Sequence, residues 1–260
     1  MKKFIAIISL FSLLLASCEK NNEVTPLKTL GKATVTFDAV FGTQDFSINK
    51  DFMSGSKTYN FTKFRYWVTN LILVDTKGEE YNVPNSYFLI EETAAVPVQD
   101  GAFTYPATKR ETIQLNDIPI GDYQAIKFSI GIESKYNDNL SLQIGELSQL
   151  NGMTNVSWMW MTSYIFSSIG GKVTDGNATK NILVETGLNT NYKSVLLNLP
   201  TPLLVGSNKN AAIILTTDVS KAIDGIDLIA NPVVGASKAN LMAQVATNYT
   251  SKVFAVKSNQ

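Results

Sequence analysis

The sequence predicts an all-β chain, an antiparallel β-sandwich or barrel of immunoglobulin-like or jelly-roll-like type with one short C-terminal helix. Three observations predict it. Apolar runs of strand length recur along the chain, turn-forming clusters of Gly, Asn, Asp and Pro separate them, and helical periodicity is confined to two short stretches. Hydrophobic residues make up 45% of the chain, enough for a real core.

The first element is expected to lie outside the fold. Lys2 and Lys3 precede an apolar run from Phe4 to Leu15, which ends at Leu15-Ala16-Ser17-Cys18. Positive charge, a run too short to span a bilayer comfortably, and small residues before a cysteine form the pattern of an export signal with a lipobox. Residues 1–17 are therefore expected to be a signal peptide, and Cys18 the lipidated first residue of a mature chain of 243 residues. The expected location is the cell envelope, as an outer-membrane lipoprotein facing the periplasm or the surface, with the lipid as its membrane contact. Residues 18–29 read as a polar tether, and residues 30–260 as a single β domain.

Strands follow in order at Ala33–Phe41, Phe64–Val74, Tyr87–Ile90, Thr112–Leu115, Ala125–Ile132, Trp158–Phe166, Asn181–Glu185, Ser194–Leu199 and Ala211–Thr217. Turns are marked by Lys77-Gly78, Pro84-Asn85, Pro119-Ile120-Gly121-Asp122 and Asp175-Gly176-Asn177. Ser220–Ile223 has room for one helical turn, and Lys238–Tyr249 for a short helix. In Trp158–Phe166, period two places Trp158, Trp160, Thr162, Tyr164 and Phe166 on one face and Met159, Met161, Ser163 and Ile165 on the other. The aromatic face reads as core, which large rigid side chains fill well.

What is missing narrows the chemistry. Cys18 is the only cysteine, so a lipidated chain has no disulfide, thiol nucleophile or thiolate metal site. The chain has no histidine, which removes imidazole acid–base catalysis, the Ser-His-Asp triad and imidazole metal sites together. The mature chain is near −2 in net charge with no basic stripe, so nucleic acid is not an expected partner. Two carboxylates would suffice for glycoside hydrolysis, but no motif nominates a pair, and Glu91-Glu92 reads as a strand end. The expectation is a protein that is not an enzyme.

Four pieces of sequence match, in order, the motifs of one known family. Phe61-Thr62-Lys63-Phe64-Arg65-Tyr66-Trp67-Val68-Thr69-Asn70-Leu71 resembles the family's F-x-V-T-K-F-x-Y-Y-I-S-N strand. Ile118-Pro119-Ile120-Gly121-Asp122-Tyr123 with Ile126–Ile132 resembles its P-x-G-x-Y…F-x-I-G-V hairpin. Trp158-Met159-Trp160-Met161-Thr162-Ser163-Tyr164 resembles its W-x-W-x-x-G-Y signature, and Asn248-Tyr249 with Val253-Phe254 resembles its C-terminal N-Y…F. In these four pieces the chain resembles the MbnP family, secreted copper-binding proteins associated with methanobactin loci, and the resemblance implies a β scaffold, a copper-handling role and a secreted haem-containing partner.

The departures fall on the ligands. Ala39 stands where the family's first-strand histidine is expected, and Glu185 where a second histidine precedes a glycine. The family's K-x-E-G is Ser168-Ile169-Gly170-Gly171 here. Trp158 and Trp160 are retained, and an oxidised tryptophan of this strand is a ligand in some relatives. The resemblance implies that Ala39 and Glu185 converge at one end of the sandwich beside the Trp158–Trp160 strand. Candidate metal donors are therefore Trp158, Trp160, Met159, Met161 and Glu185, with Met153 as a further thioether that suits Cu(I). The bland alternative for the methionines is gap filling in the core. Asn137-Asp138-Asn139 and Asp175-Gly176-Asn177 look like short calcium loops but lack a full ligand set, so they read as turns. The resulting expectation is an MbnP-like copper scaffold whose site is lost or altered. The alternative is a surface module that binds a glycan, a protein or a small molecule on the same scaffold.

Overall fold

The computed structural model describes residues 29–98, 101–155, 163–207 and 209–260. The main strands are β1 (Leu30–Phe41), β2 (Lys57–Asp75), β3 (Tyr87–Thr93), β4 (Thr112–Pro119), β5 (Gly121–Ile130), β6 (Ser163–Asp175), β7 (Ala178–Gly187), β8 (Lys193–Val205), β9 (Asn210–Asp218) and β10 (Phe254–Asn259). The helix α1 spans Ala239–Asn248. The chain is mostly strand and sandwich-like, with short helices.

β1 shows why these residues make strands. Ala33, Val35, Phe37, Ala39 and Phe41 are buried, while Lys32, Thr34, Thr36, Asp38 and Val40 between them are partly or fully exposed. A strand alternates its side chains between faces, so this pattern commits one face to a core. The first sheet has the order β4-β1-β9-β10, and the second the order β8-β5-β2-β6-β7. Phe37 of β1 meets Phe128 of β5 at 5.5 Å and Tyr66 of β2 at 6.3 Å, both edge-on, so the inner faces of the two sheets interlock. Each fully buried phenylalanine or leucine there contributes about 1.5–3 kcal/mol.

β2 organises the second sheet. Along one edge it pairs with β6 from Lys57 to Tyr66, then with β5 from Val68 to Asp75. β3 pairs with Lys63–Thr69 along the other edge, across that change of partner. The amide of Gly131 donates to the carbonyl of Trp67 where the partners change.

Several elements differ from the sequence expectation. Most pairings are antiparallel, but β1 and β9 run parallel, as do β7 and the short strand Val233–Val234. Trp158–Phe166 is described only from Ser163, where β6 begins and continues to Asp175. There Tyr164, Ile165 and Phe166 are all buried, and the register shifts between Ile165 and Ser167. Both faces of this strand start are covered, which period two alone does not reveal. A hairpin of Val96–Val98 and Phe103–Tyr105 lies outside the two sheets, and β10 follows α1 through a wide helical turn at Tyr249–Val253.

Candidate functional site

Alternation along β2 sends Phe64 and Tyr66 into the sandwich core and Lys63, Arg65 and Trp67 to the opposite, outer face of the second sheet. The register then builds a row across five strands. Arg65 lies opposite Ser168 of β6 and Glu91 of β3, Ser168 opposite Glu185 of β7, and Glu91 opposite Arg110 of the short strand Thr108–Arg110. Reading across, the row is Glu185, Ser168, Arg65, Glu91, Arg110.

Two pairs within the row are bonded, and Arg110 bonds outside it. Ser168 Oγ donates to Glu185 Oε1 at 3.0 Å, and Lys63 Nζ lies 3.7 Å from the same oxygen. Arg65 Nε donates to Glu91 Oε2 at 2.7 Å, and Arg65 Nη2 to the Asn151 carbonyl at 2.7 Å. The Arg65 guanidinium sits over the ring of Tyr105, 4.9 Å from its centroid. Tyr105 donates its hydroxyl proton to Glu91 Oε1, and Arg110 Nη1 donates to Glu146 Oε2. Arg65 is 1% exposed and Glu91 4%, because the outlying hairpin and the turn at Gln149–Asn151 cover them. A buried charge pair of this kind is held by the hydrogen bonds that Asn151 and Tyr105 add to the pair itself. Burial pushes the Lys63 ammonium below its ordinary pKa, opposed by Glu185. Burial and the bond to Glu91 push the Tyr105 phenol up.

Next to the row lies a second apolar cluster that includes Trp67, Leu89, Met153, Tyr164 and Phe166. The Trp67 and Tyr164 rings meet edge-on at 6.1 Å. Trp67 Nε1, Tyr164 Oη and Ser163 Oγ are buried without a hydrogen-bond partner among the described residues. The Asn137-Asp138-Asn139 segment is an amide network rather than a cation loop. Asn137 Oδ1 accepts from the Tyr164 amide, Asn137 Nδ2 donates to Asn189, and Asn189 Nδ2 donates to both Asp138 oxygens. Asp175-Gly176-Asn177 is the tight connection between β6 and β7.

The expected convergence of Ala39 and Glu185 does not occur. Ala39 faces the core between the sheets, and its amide donates to Glu111 Oε1 at 3.2 Å. Glu185 faces outward with Lys63 and Ser168. The second sheet lies between the two side chains, because Ala39 shares the phase of the core residues of β1 while Glu185 alternates with the core residue Val184 of β7. Beside Ala39, Lys109 Nζ reaches Glu92 Oε2 at 3.0 Å and Glu111 Oε1 at 3.8 Å. Burial raises the pKa of Glu111 even though the Ala39 amide and Lys109 favour its charged form. Met153 is fully buried among apolar side chains, a gap-filling position. Cys18, Trp158, Met159, Trp160 and Met161 lie outside the described residues.

Among the described residues no three His, Cys, Asp or Glu side chains gather as a metal site. Ala39 offers no donor, Glu185 is engaged by Lys63 and Ser168, and Met153 supplies a single thioether. These residues do not fit copper, which is selected by imidazole or by several soft sulfurs. Sequence reasoning missed Arg65, Glu91, Tyr105 and Arg110. The signal that could have found them was the placement of Lys63 and Arg65, two residues apart, inside an otherwise apolar strand.

The family model described as MbnP matches residues 30–242. Among solved structures, MbnP from Methylosinus trichosporium is similar to this chain at 17% identity, covering 74% of this chain and 80% of that one, with a TM-score of 0.44. No curated protein matches the chain.

Proposed function

Because the chain belongs to the MbnP family, we propose that it is a lipid-anchored, non-enzymatic protein of the cell envelope in which the MbnP scaffold is kept and the copper site is altered. The observation that carries this reading is the state of the two substituted positions. Ala39 has no donor atom, and Glu185 is a partner of Lys63 and Ser168 on the far side of the sheet. The Leu15-Ala16-Ser17-Cys18 pattern supports the anchor and an outer-membrane location. The family resemblance supports a secreted haem protein as partner.

The test uses protein purified from membranes. In detergent phase partition the wild type is expected in the detergent phase and Cys18→Ala in the aqueous phase. After copper loading and exchange against a chelator of moderate strength, elemental analysis is expected to find well under one copper per chain. Equal partition into water sinks the anchor. One tightly held copper per chain sinks the altered site and directs attention to Trp158, Met159, Trp160 and Met161.

A second reading, a ligand-binding module on the same scaffold, is favoured by a separate observation. An open groove runs beside the buried Arg65–Glu91 pair, between the outlying hairpin and the Ser148–Asn151 turn.

A further inference from the structure

The groove has a volume of about 330 Å³. Phe103, Tyr105 and Pro106 line it from the hairpin, Leu150 from the facing turn, and Leu89 from β3. Phe103 is 41% exposed and Leu150 46%, so two large apolar side chains stand open on opposite sides of one concavity. A volume of this size lies at the small end of the range for small-molecule sites, and its lining is mainly apolar and aromatic, as theirs is.

The polar atoms narrow the chemistry. Tyr105 gives its proton to Glu91, the Asn151 carbonyl receives Arg65, and Ser148 Oγ receives the Leu150 amide. Glu146 also lines the groove. Its Oε2 accepts from both Arg110 and the Leu89 amide, while Oε1 accepts no hydrogen bond among the described residues. An aromatic wall thus ends in one uncommitted carboxylate oxygen whose charge Arg110 already balances.

We propose that this groove binds a small aromatic molecule that carries one neutral hydrogen-bond donor, an indole-sized ring with an N–H or O–H directed at Glu146 Oε1. The proposal rests on the ligand-binding reading above and is independent of copper. A flat ring gains offset or edge contacts with Phe103 and Tyr105. A neutral donor satisfies Oε1, whereas a ring without one desolvates that oxygen and leaves it unpaired. A sugar would strip water from several hydroxyls on a mainly apolar wall, where the Ser148 hydroxyl, the Asn151 side-chain amide and Glu146 Oε1 are the polar groups left to replace it.

Ligand-observed NMR on the purified protein, with matched detergent as the blank, tests the proposal with indole, 1-methylindole and methyl α-glucoside. Indole is expected to bind saturably, at least tenfold more tightly than 1-methylindole and methyl α-glucoside. Phe103→Ala and Leu150→Glu, both at exposed positions, are each expected to weaken indole binding at least tenfold while the thermal unfolding midpoint stays near that of the wild type. Equal affinity for indole and 1-methylindole overturns the role of Glu146. Indole binding that neither substitution weakens overturns the groove. Glucoside binding that both substitutions abolish overturns the ligand class and leaves the module reading standing. Absence of saturable binding by all three probes overturns the groove as a site for this class, while copper content and detergent partition still report on the first reading independently.

Discussion

Gly171 sits where β6 presses against β2. Its φ is +155°, and a Cβ there would lie 2.2 Å from the Asn60 carbonyl oxygen and 2.7 Å from Phe61 Cα. Both are backbone atoms, so a side-chain adjustment cannot relieve the clash. Gly176, at the β6–β7 turn, has φ +56°, and a Cβ there would meet nothing within 4 Å. Gly171→Ala is therefore expected to destabilise the protein by more than about 3 kcal/mol, and Gly176→Ala by about 1 kcal/mol, the ordinary cost of a left-handed residue with a side chain. Denaturant unfolding of both variants checks the contrast, and similar small losses would mean that the strands can separate at Gly171. The pair also marks a limit of sequence reading. Asp175-Gly176-Asn177 announces a turn by composition alone. The demand on Gly171 comes from Asn60 and Phe61, far away in the chain, and no local pattern carries it.

At the scale of elements, the outer face of the second sheet departs from the simple rule of core inside and water outside. The strand runs were legible because apolar alternation is local: β1, β2, β5 and β9 lie where the pattern put them. What covers their far face was not, since the hairpin and the Gln149–Asn151 turn reach Arg65 through tertiary contacts. Glu91-Glu92 does end a strand, but as buried residues: Glu91 pairs with Arg65 and Glu92 turns inward to the Ile48 amide. Removing one member of a buried pair strands the other charge, whereas removing both does not. Arg65→Met and Glu91→Leu are each expected to cost about 3–5 kcal/mol, and the double variant much less than their sum. A double-mutant cycle by chemical denaturation measures this. Strictly additive losses would show that Tyr105 and Asn151 stabilise each charge separately.

At the scale of the whole molecule, four short stretches of sequence in the right order sufficed to identify the family and with it the β scaffold, while the convergence of two particular residues did not follow. Each strand's phase was readable. Ala39 keeps step with Val35 and Phe37, and Glu185 is out of step with Ile182 and Val184. Combining the two phases requires knowing that both sets of core residues face the same core, which only the assembled sandwich supplies. With the second sheet between them, imidazoles at these positions have no common metal to share. Ala39→His also enters a space of about 10 Å³ flanked by Glu92 and Glu111, so it overfills the core locally. Any copper affinity it gains is expected to rest on the new imidazole with those carboxylates as co-ligands, and any gained by Glu185→His on the groups around it on the outer face. The affinity of the double variant, measured by competition titration against a copper chelator, is thus expected to show no coupling beyond about 0.5 kcal/mol between the two sites. Two weak and independent sites are the expected stoichiometry. A single site with coupling above about 1.4 kcal/mol, a tenfold gain over independence, would require both imidazoles on one metal and would overturn the placement of Ala39 and Glu185 on opposite sides of the sheet.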